Sequence, residues 1–186
     1  IGYLPEERGL YKKNKVIDII TFFAELKNFD RSKAITEAEQ WLKRLDISNY
    51  RDKKLEELSK GNQQKIQFIT AVLHNPKLLI LDEPFSGFDP INQQLIKDLI
   101  LNFVSEGKIV ILSTHQMEIA EKLCSEIFLI NKGNEVLSGP IADVKRKFGT
   151  NHISIDYSGD ATFIKALPFV IHFDNYSTHA EIETDN

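Results

Sequence analysis

Apolar positions recur along this chain with two different periods, and the first half alternates between them. Val16, Ile19, Ile20, Phe23 and Leu26 share one helical face and predict a helix over 16–27. Ala34, Ile35, Ala38, Trp41, Leu42 and Leu45 repeat that period over 32–45, with Asp30 or Ser32 as the cap. Trp41 falls on this stripe and reads as core, not as a platform for stacking bases. A third helical run, Lys65 to His74, carries Ile66, Ile69, Ala71, Val72 and Leu73, and a fourth is expected over Asn92 to Phe103. Between these lie unbroken apolar runs, Leu78 to Leu81 and Lys108 to Leu112. Continuous apolar runs of that length suit central strands of a parallel sheet covered on both faces.

The second half changes texture. Ser125 to Asn131 reads as a strand, Lys132-Gly133-Asn134 as a turn and Glu135 to Ser138 as a returning strand. Gly139-Pro140 breaks the chain, Ile141 to Phe148 forms a short helix, and Gly149-Thr150-Asn151 marks a boundary. Beyond it, His152 to Tyr157 alternates as a half-buried strand. Ala161 to Leu167 is expected as a helix, Phe169 to Phe173 as a strand and His179 to Glu183 as an incomplete one. The fold class is therefore α/β, with a mainly parallel sheet and flanking helices over 1–148. A small, incomplete α+β unit is expected over 149–186.

Composition narrows the function classes. A chain of 186 residues holds one sizeable core and a small extra unit. Its net charge of -4 argues against a nucleic-acid binder held by phosphate neutralisation. No apolar run approaches the roughly 20 residues that cross a bilayer, and no signal peptide is evident. The single Cys124 has no internal disulfide partner and reads as a buried structural thiol in a helical pattern, consistent with a reducing cytosol. His152, His172 and His179 lack metal-ligand spacing. Lys12, Lys13 and Lys15 form a basic cluster, either a solvated face or a contact for lipid headgroups.

Candidate chemistry collects at the strand ends. The run Leu78 to Leu81 closes on two adjacent carboxylates, Asp82 and Glu83, followed by Pro84. Two like charges at the mouth of a dry strand are costly unless a cation or polar partner offsets them. Alone, the segment reads equally as a strand with an acidic turn. Its neighbours add to it. Leu58-Ser59-Lys60-Gly61-Asn62-Gln63-Gln64-Lys65 opens a helical run with small residues whose free N–H groups suit phosphate oxygens. Ser86-Gly87-Phe88-Asp89-Pro90 is a tight polar loop, and Ser113-Thr114-His115 ends the second buried strand with an imidazole that can donate to a terminal phosphate.

In this order and spacing the segments resemble the ATP-binding subunit of ABC transporters, over roughly residues 1–140. Leu58 to Lys65 looks like the signature motif, and Leu78 to Glu83 like the Walker B strand with its catalytic glutamate. Ser86 to Asp89 looks like the D-loop, and Thr114-His115 like the switch histidine. Ile1 to Tyr11 resembles the Q-loop region of the sodium- and drug-efflux branch. The resemblance implies an ABC-type ATPase core whose helical subdomain and signature helix span about 12–75. It also implies a terminal β-hairpin and a C-terminal α+β appendage of obscure role.

It further implies that Asp82 holds Mg²⁺ through a water, Glu83 acts as general base and His115 bonds the γ-phosphate. Ser59, Gly61 and Asp89 would act across a dimer of ATP-binding subunits, with an integral membrane permease as partner and the cytoplasmic membrane face as location. Glu6 stands where the family usually has Gln. It either contacts metal or water, pairs with Arg8 or Lys60, or lies on the surface. Lys60 replaces a Gly, pointing toward the opposite γ-phosphate or into solvent, and Asn62 replaces a Gln.

No Gly-x-x-x-x-Gly-Lys-Ser/Thr occurs, and the chain begins at Ile1 within an expected strand. It therefore reads as a fragment of a longer subunit, unable to hydrolyse ATP alone. Two other classes stay open: a soluble ABC ATPase acting in translation or DNA maintenance, and a non-catalytic interaction module.

Overall fold

A computed structural model describes residues 1–7, 9–148, 152–176 and 178–184, with backbone alone at 148 and 152. Arg8 and the expected boundary Gly149-Thr150-Asn151 lie outside the described residues. The chain divides into two compact units, Ile1–Leu123 and Cys124–Asn186.

In the first unit, the apolar run before Asp82 forms the central strand β2 (Leu78–Asp82) of a parallel sheet, between β1 (Gly2–Leu4) and β3 (Ile109–Ser113). Register pairs Leu4 with Leu81, Leu81 with Leu112, and Asp82 with Ser113. The helices are α1 (Val16–Glu25), α2 (Arg31–Arg44), α3 (Lys60–Val72), α4 (Pro90–Ser105) and α5 (Met117–Leu123). Leu4, Leu79 and Leu81 are fully buried in one cluster with Ile66 and Phe68 of α3 and Ile96 and Leu99 of α4. Gly2 allows β1 to lie that close to α3, because a Cβ there would sit 2.2 Å from the Ala71 carbonyl oxygen.

One face of the sheet is buried and the other only partly covered, with Leu78 and Ile80 half-buried, where strands covered on both faces were expected. Tyr3, Ile109 and Ile111 on the alternate positions remain more than half exposed. The strands alternate because α3 and α4 join the same core cluster as Leu79, Leu81, Val110 and Leu112.

Helix boundaries follow their caps. Asp30, not Ser32, caps α2, accepting from the Lys33 N–H at 3.0 Å. The third helix starts at Lys60 and not at Lys65, because the Ser59 hydroxyl accepts from the Asn62 N–H and so lets the polar segment 60–64 wind. Asp89 caps α4 with Pro90 at the first helical position, which extends that helix ahead of Asn92. Trp41 lies edge-on to Phe68 (ring centroids 6.4 Å apart) and tilted against Phe103 (6.2 Å), at the margin of the core.

One buried charge ties helices together. Lys65 is 6 % exposed, and its ammonium donates to the Leu45 carbonyl at the end of α2, 3.0 Å away. Burial holds its pKa below the ordinary lysine value, against the pull of Asp46 and Asp89.

In the second unit, β4 (Glu126–Asn131) and β5 (Asn134–Pro140) form an antiparallel hairpin, followed by α6 (Ile141–Phe148). Gly139 and Pro140 are the last residues of β5 and still pair, with Ile127 and Glu126, before α6 begins at Ile141. Gly139 has a positive φ (131°), and proline is tolerated at the end of a strand. The last strands are β6 (His152–Asp156), β7 (Val170–Asn175) and β8 (His179–Thr184), with β8 between the other two. The strand expected to be incomplete is thus the central one. Residues 162–166 form a 3₁₀ turn where an α-helix was expected. Cys124 follows α5, half-buried and unpaired, with its thiol pKa raised by burial.

Replacing Lys65 by Met should lower stability by about 1–3 kcal/mol, because the Leu45 carbonyl loses its donor. Urea unfolding checks this, and an unchanged midpoint would show that the bond contributes nothing net.

Candidate functional site

Parallel strands end together, so the register of β2 and β3 sets which polar residues meet at their carboxyl ends. Asp82 lies beside Ser113, whose hydroxyl donates to Asp82 Oδ1 at 2.5 Å. One residue on, the Glu83 backbone N–H donates to the Ser113 carbonyl at 3.0 Å, which carries the pairing one step past the strand. Glu83 itself takes φ 43°, the left-handed region that a non-glycine residue rarely adopts. Such a conformation costs on the order of 1–3 kcal/mol and persists where its surroundings fix it. Here the fixing contacts are visible, since the Ser86 N–H also closes a turn onto the Glu83 carbonyl at 3.1 Å.

That turn aims the Glu83 carboxylate at the residues after β3. Oε1 accepts from the His115 backbone N–H at 2.8 Å and lies 2.7 Å from His115 Nδ1. Thr114 Oγ1 approaches Oε2 at 3.4 Å and accepts from the Gln116 N–H. An ionised carboxylate only accepts, so Nδ1 carries the shared proton and Nε2 stays available to a ligand. The Glu83 side chain is 12 % exposed and that of His115 81 %, so the pair joins a nearly dry carboxylate to a solvent-facing imidazole. Asp82, Glu83 and His115 are therefore gathered at one strand-end rim.

A second grouping forms around the start of α3. Ser59 is its cap, Lys60 its exposed first residue, and Gly61 packs beside the loop after Glu83: a Cβ on it would touch the Gly87 carbonyl oxygen at 3.4 Å. Asp89, at the end of that loop, accepts from the Asn92 backbone N–H at 2.9 Å and side-chain amide at 2.7 Å. These bonds hold the Asp89 pKa below the usual carboxylate range. Among the described residues, no hydrogen bond or ion pair joins Ser59, Lys60 or Gly61 to Asp82, Glu83 or His115.

Glu6 stands apart from both groupings. With Glu7, Lys12 and Gln63 it lines a shallow cavity of about 380 Å³, and among the described residues it forms no ion pair with Lys60. Its segment is held to α3 by the Gln67 side chain, which donates to the Pro5 and Glu7 carbonyls at 2.9 and 3.1 Å.

Sequence reasoning missed Ser113 as a partner of Asp82 and Gln67 as a clamp. The first had a signal, a lone hydroxyl closing an apolar strand. The second had only a polar residue on an apolar helix face.

Oxygen donors at the rim suit a hard cation. Asp82 offers a half-buried carboxylate with the Ser113 oxygen 2.5 Å away. Among the described residues no group of three His, Cys, Asp or Glu could hold a metal, so a Mg²⁺ here would take most of its coordination from water and ligand oxygens.

Known proteins resemble this chain in sequence and in fold. A family model described as ABC transporter matches residues 1–86. The ABC transporter ATP-binding protein YhaQ of Bacillus subtilis is 44% identical over all 186 residues, which span 62% of that protein. A Methanocaldococcus jannaschii ABC transporter ATP-binding protein is 48% identical over 165 residues, 89% of this chain and 62% of the relative. Among solved structures, an ATP-binding subunit of an ABC transporter superposes with TM-score 0.73 at 26% identity, covering 80% of this chain and 62% of that one. The chain thus spans under two thirds of the length of these relatives.

Asp89→Ala should destabilise the chain through loss of the α4 cap, in a pH-dependent way. A carboxylate whose folded pKa is depressed contributes stability above its unfolded pKa, and that contribution is lost as pH falls through the folded value. The urea midpoints of wild type and Asp89→Ala should differ at neutral pH and converge in strong acid. A gap that persists in acid would contradict the assignment.

Proposed function

Because the chain belongs to the ABC transporter ATP-binding protein family, we propose that it is the larger part of a subunit that hydrolyses Mg-ATP at a dimer interface to drive a membrane permease. The observation that carries this reading is Glu83, a nearly buried carboxylate in a left-handed turn, fixed by residues 113–115 beside Asp82.

Each residue has a role in that reaction. Asp82, backed by the Ser113 hydroxyl, would hold Mg²⁺ through a water. When bound, the metal supplies charge neutralisation at the β- and γ-phosphate oxygens. Glu83 orients the attacking water and takes its proton. His115 steadies the Glu83 carboxylate through Nδ1 and, with both ring nitrogens protonated, donates Nε2–H to the γ-phosphate region, where charge accumulates. Ser59, Lys60 and Gly61 head a helix whose free N–H groups suit a phosphate. Their separation from the Glu83 rim supports their serving ATP bound to the second subunit, with Asp89 reaching across the same interface.

Glu6 lies on a loop joined to α3, where it would meet the nucleotide of its own subunit. Its carboxylate replaces the neutral amide usual in the family and adds charge beside a polyphosphate.

The ATPase core occupies residues 1–148 in this reading, with 12–75 as helical subdomain and signature helix and 149–186 as a C-terminal appendage. The β4–β5 hairpin belongs to the second compact unit; its likeness to the family's terminal hairpin supports its place in the core. Among the described residues no helix is long and apolar enough to cross a membrane, and a peripheral position on the cytoplasmic membrane face is proposed. Export is favoured by the likeness of Leu4 to Tyr11 to the efflux branch. By itself this chain, which contains no Gly-x-x-x-x-Gly-Lys-Ser/Thr segment, should bind ATP far more weakly than the full-length subunit and not turn it over.

In the full-length subunit, Glu83→Gln should retain ATP binding, lower turnover by about 10²–10⁴-fold and accumulate as an ATP-bound dimer. Phosphate release and light scattering read these out, and near-normal hydrolysis would remove the general-base role. Calorimetry on the 186-residue chain should show little ATP binding, whereas an affinity equal to the full-length subunit's would contradict the dependence on further sequence.

A further inference from the structure

The loop that carries Glu6 is fastened to α3 by one buried side chain. Gln67 is 2 % exposed, and its carboxamide nitrogen donates to the carbonyls of Pro5 and Glu7, the residues on either side of Glu6. The amide therefore straddles Glu6 and fixes its backbone from both flanks. Gln67 sits on the same helix that begins with Ser59, Lys60 and Gly61. An α-helix is stiff along its axis, so a displacement of the Pro5–Glu7 segment is delivered to that tip as a movement of the whole rod.

The clamp is incompletely bonded. Gln67 Oε1 is buried without a hydrogen-bond partner among the described residues, as is Nε2 of Gln64. They are an acceptor and a donor three residues apart, a spacing that places side chains side by side on a helix. Buried amides used purely for packing are usually satisfied in full. A bond from Gln64 Nε2 to Gln67 Oε1 would leave both bonds from Gln67 Nε2 to the loop intact, so the unused pair can tighten the clamp without releasing the loop.

We propose that Gln67 is a positioning residue: it latches the Glu6 loop to α3, so that contact between Glu6 and nucleotide in one site is transmitted to Ser59 and Gly61, which serve the other. The proposal rests on the ATPase reading above. It makes Glu6 the sensor and Gln67 the link, with no contact between Gln67 and the reacting atoms.

The test is a mutant cycle in the full-length subunit, comparing Gln67→Met, Glu6→Ala and the double variant by steady-state ATPase kinetics and thermal melting. Met keeps the length of the side chain and removes the donor. Gln67→Met should melt near the wild-type temperature, keep its KM for Mg-ATP and lose about 2- to 30-fold in kcat, the size of effect seen along coupling networks. The double variant should be no slower than Glu6→Ala alone, because both changes cut the same link. If Gln67→Met does not fold, Gln67→Asn replaces it, since its amide is one methylene too short to reach both carbonyls.

Losses that multiply in the double variant would overturn the proposal. So would an unchanged kcat, or a slow Gln67 variant beside a fully active Glu6→Ala. Glu83→Gln assayed in parallel separates the two levels. If it hydrolyses ATP normally, the ATPase reading itself fails; if it is inactive while the cycle shows no coupling, only the latch fails.

Discussion

The parallel pairing of β2 with β3 is the constraint on which the rest of the first unit depends. Its register places Asp82 beside Ser113 and lets the Glu83 N–H extend the ladder to the Ser113 carbonyl. A slip of one residue would turn Leu79 and Leu81 out of the core and carry Asp82 to the opposite face. The fully buried Leu79 and Leu81 therefore specify the position of the carboxylates as surely as any polar contact does. Apolar packing sets the register, and the register sets the chemistry.

Past the strand ends, polar bonds take over from packing. Glu83 adopts an unfavourable backbone conformation, and its carboxylate is met by the backbone and ring of His115. The same loop brings Gly87 against Gly61 at the start of α3, while Lys65 joins α3 to the end of α2. The result is two chemically distinct groupings in one unit: a strand-end rim rich in carboxylate, and a helix tip rich in free N–H groups. A rim that suits metal and water, and a tip that suits phosphate, would form complementary halves of the proposed nucleotide site. Among the described residues no hydrogen bond or ion pair joins them, which is why a second subunit enters the proposed function.

Much of this was legible in the sequence because it is local. The apolar run ending in Asp82-Glu83 announced β2, and helical spacing announced α1, α2 and α4. The choice between Asp30 and Ser32 as cap needed coordinates, and so did the start of α3 at Lys60, where Ser59 overrides a weakly periodic polar stretch. The open sheet face was illegible because Ile109 and Ile111 look the same in sequence whether covered or not. Gly139-Pro140 carries a break signal, and β5 does end at Pro140, although both residues still pair before α6 begins. Gln67 and Ser113 act across 62 and 31 residues respectively, and no local pattern encodes such pairings. The left-handed turn at Glu83 is likewise invisible in sequence, since one of the two backbone bonds that fix it reaches to Ser113 on another strand and only the bond from Ser86 is local.

In the proposed function the carboxylates closing β2 and the imidazole after β3 face one terminal phosphate. A crystal structure of the full-length subunit carrying Glu83→Gln, grown with Mg-ATP, tests it most directly. The γ-phosphate or its attacking water should lie within about 2.6–3.2 Å of the residue 83 side chain, with His115 at the same phosphate and the metal on the Asp82 side. A nucleotide bound elsewhere, leaving Asp82 and His115 out of contact with it, would contradict the claim.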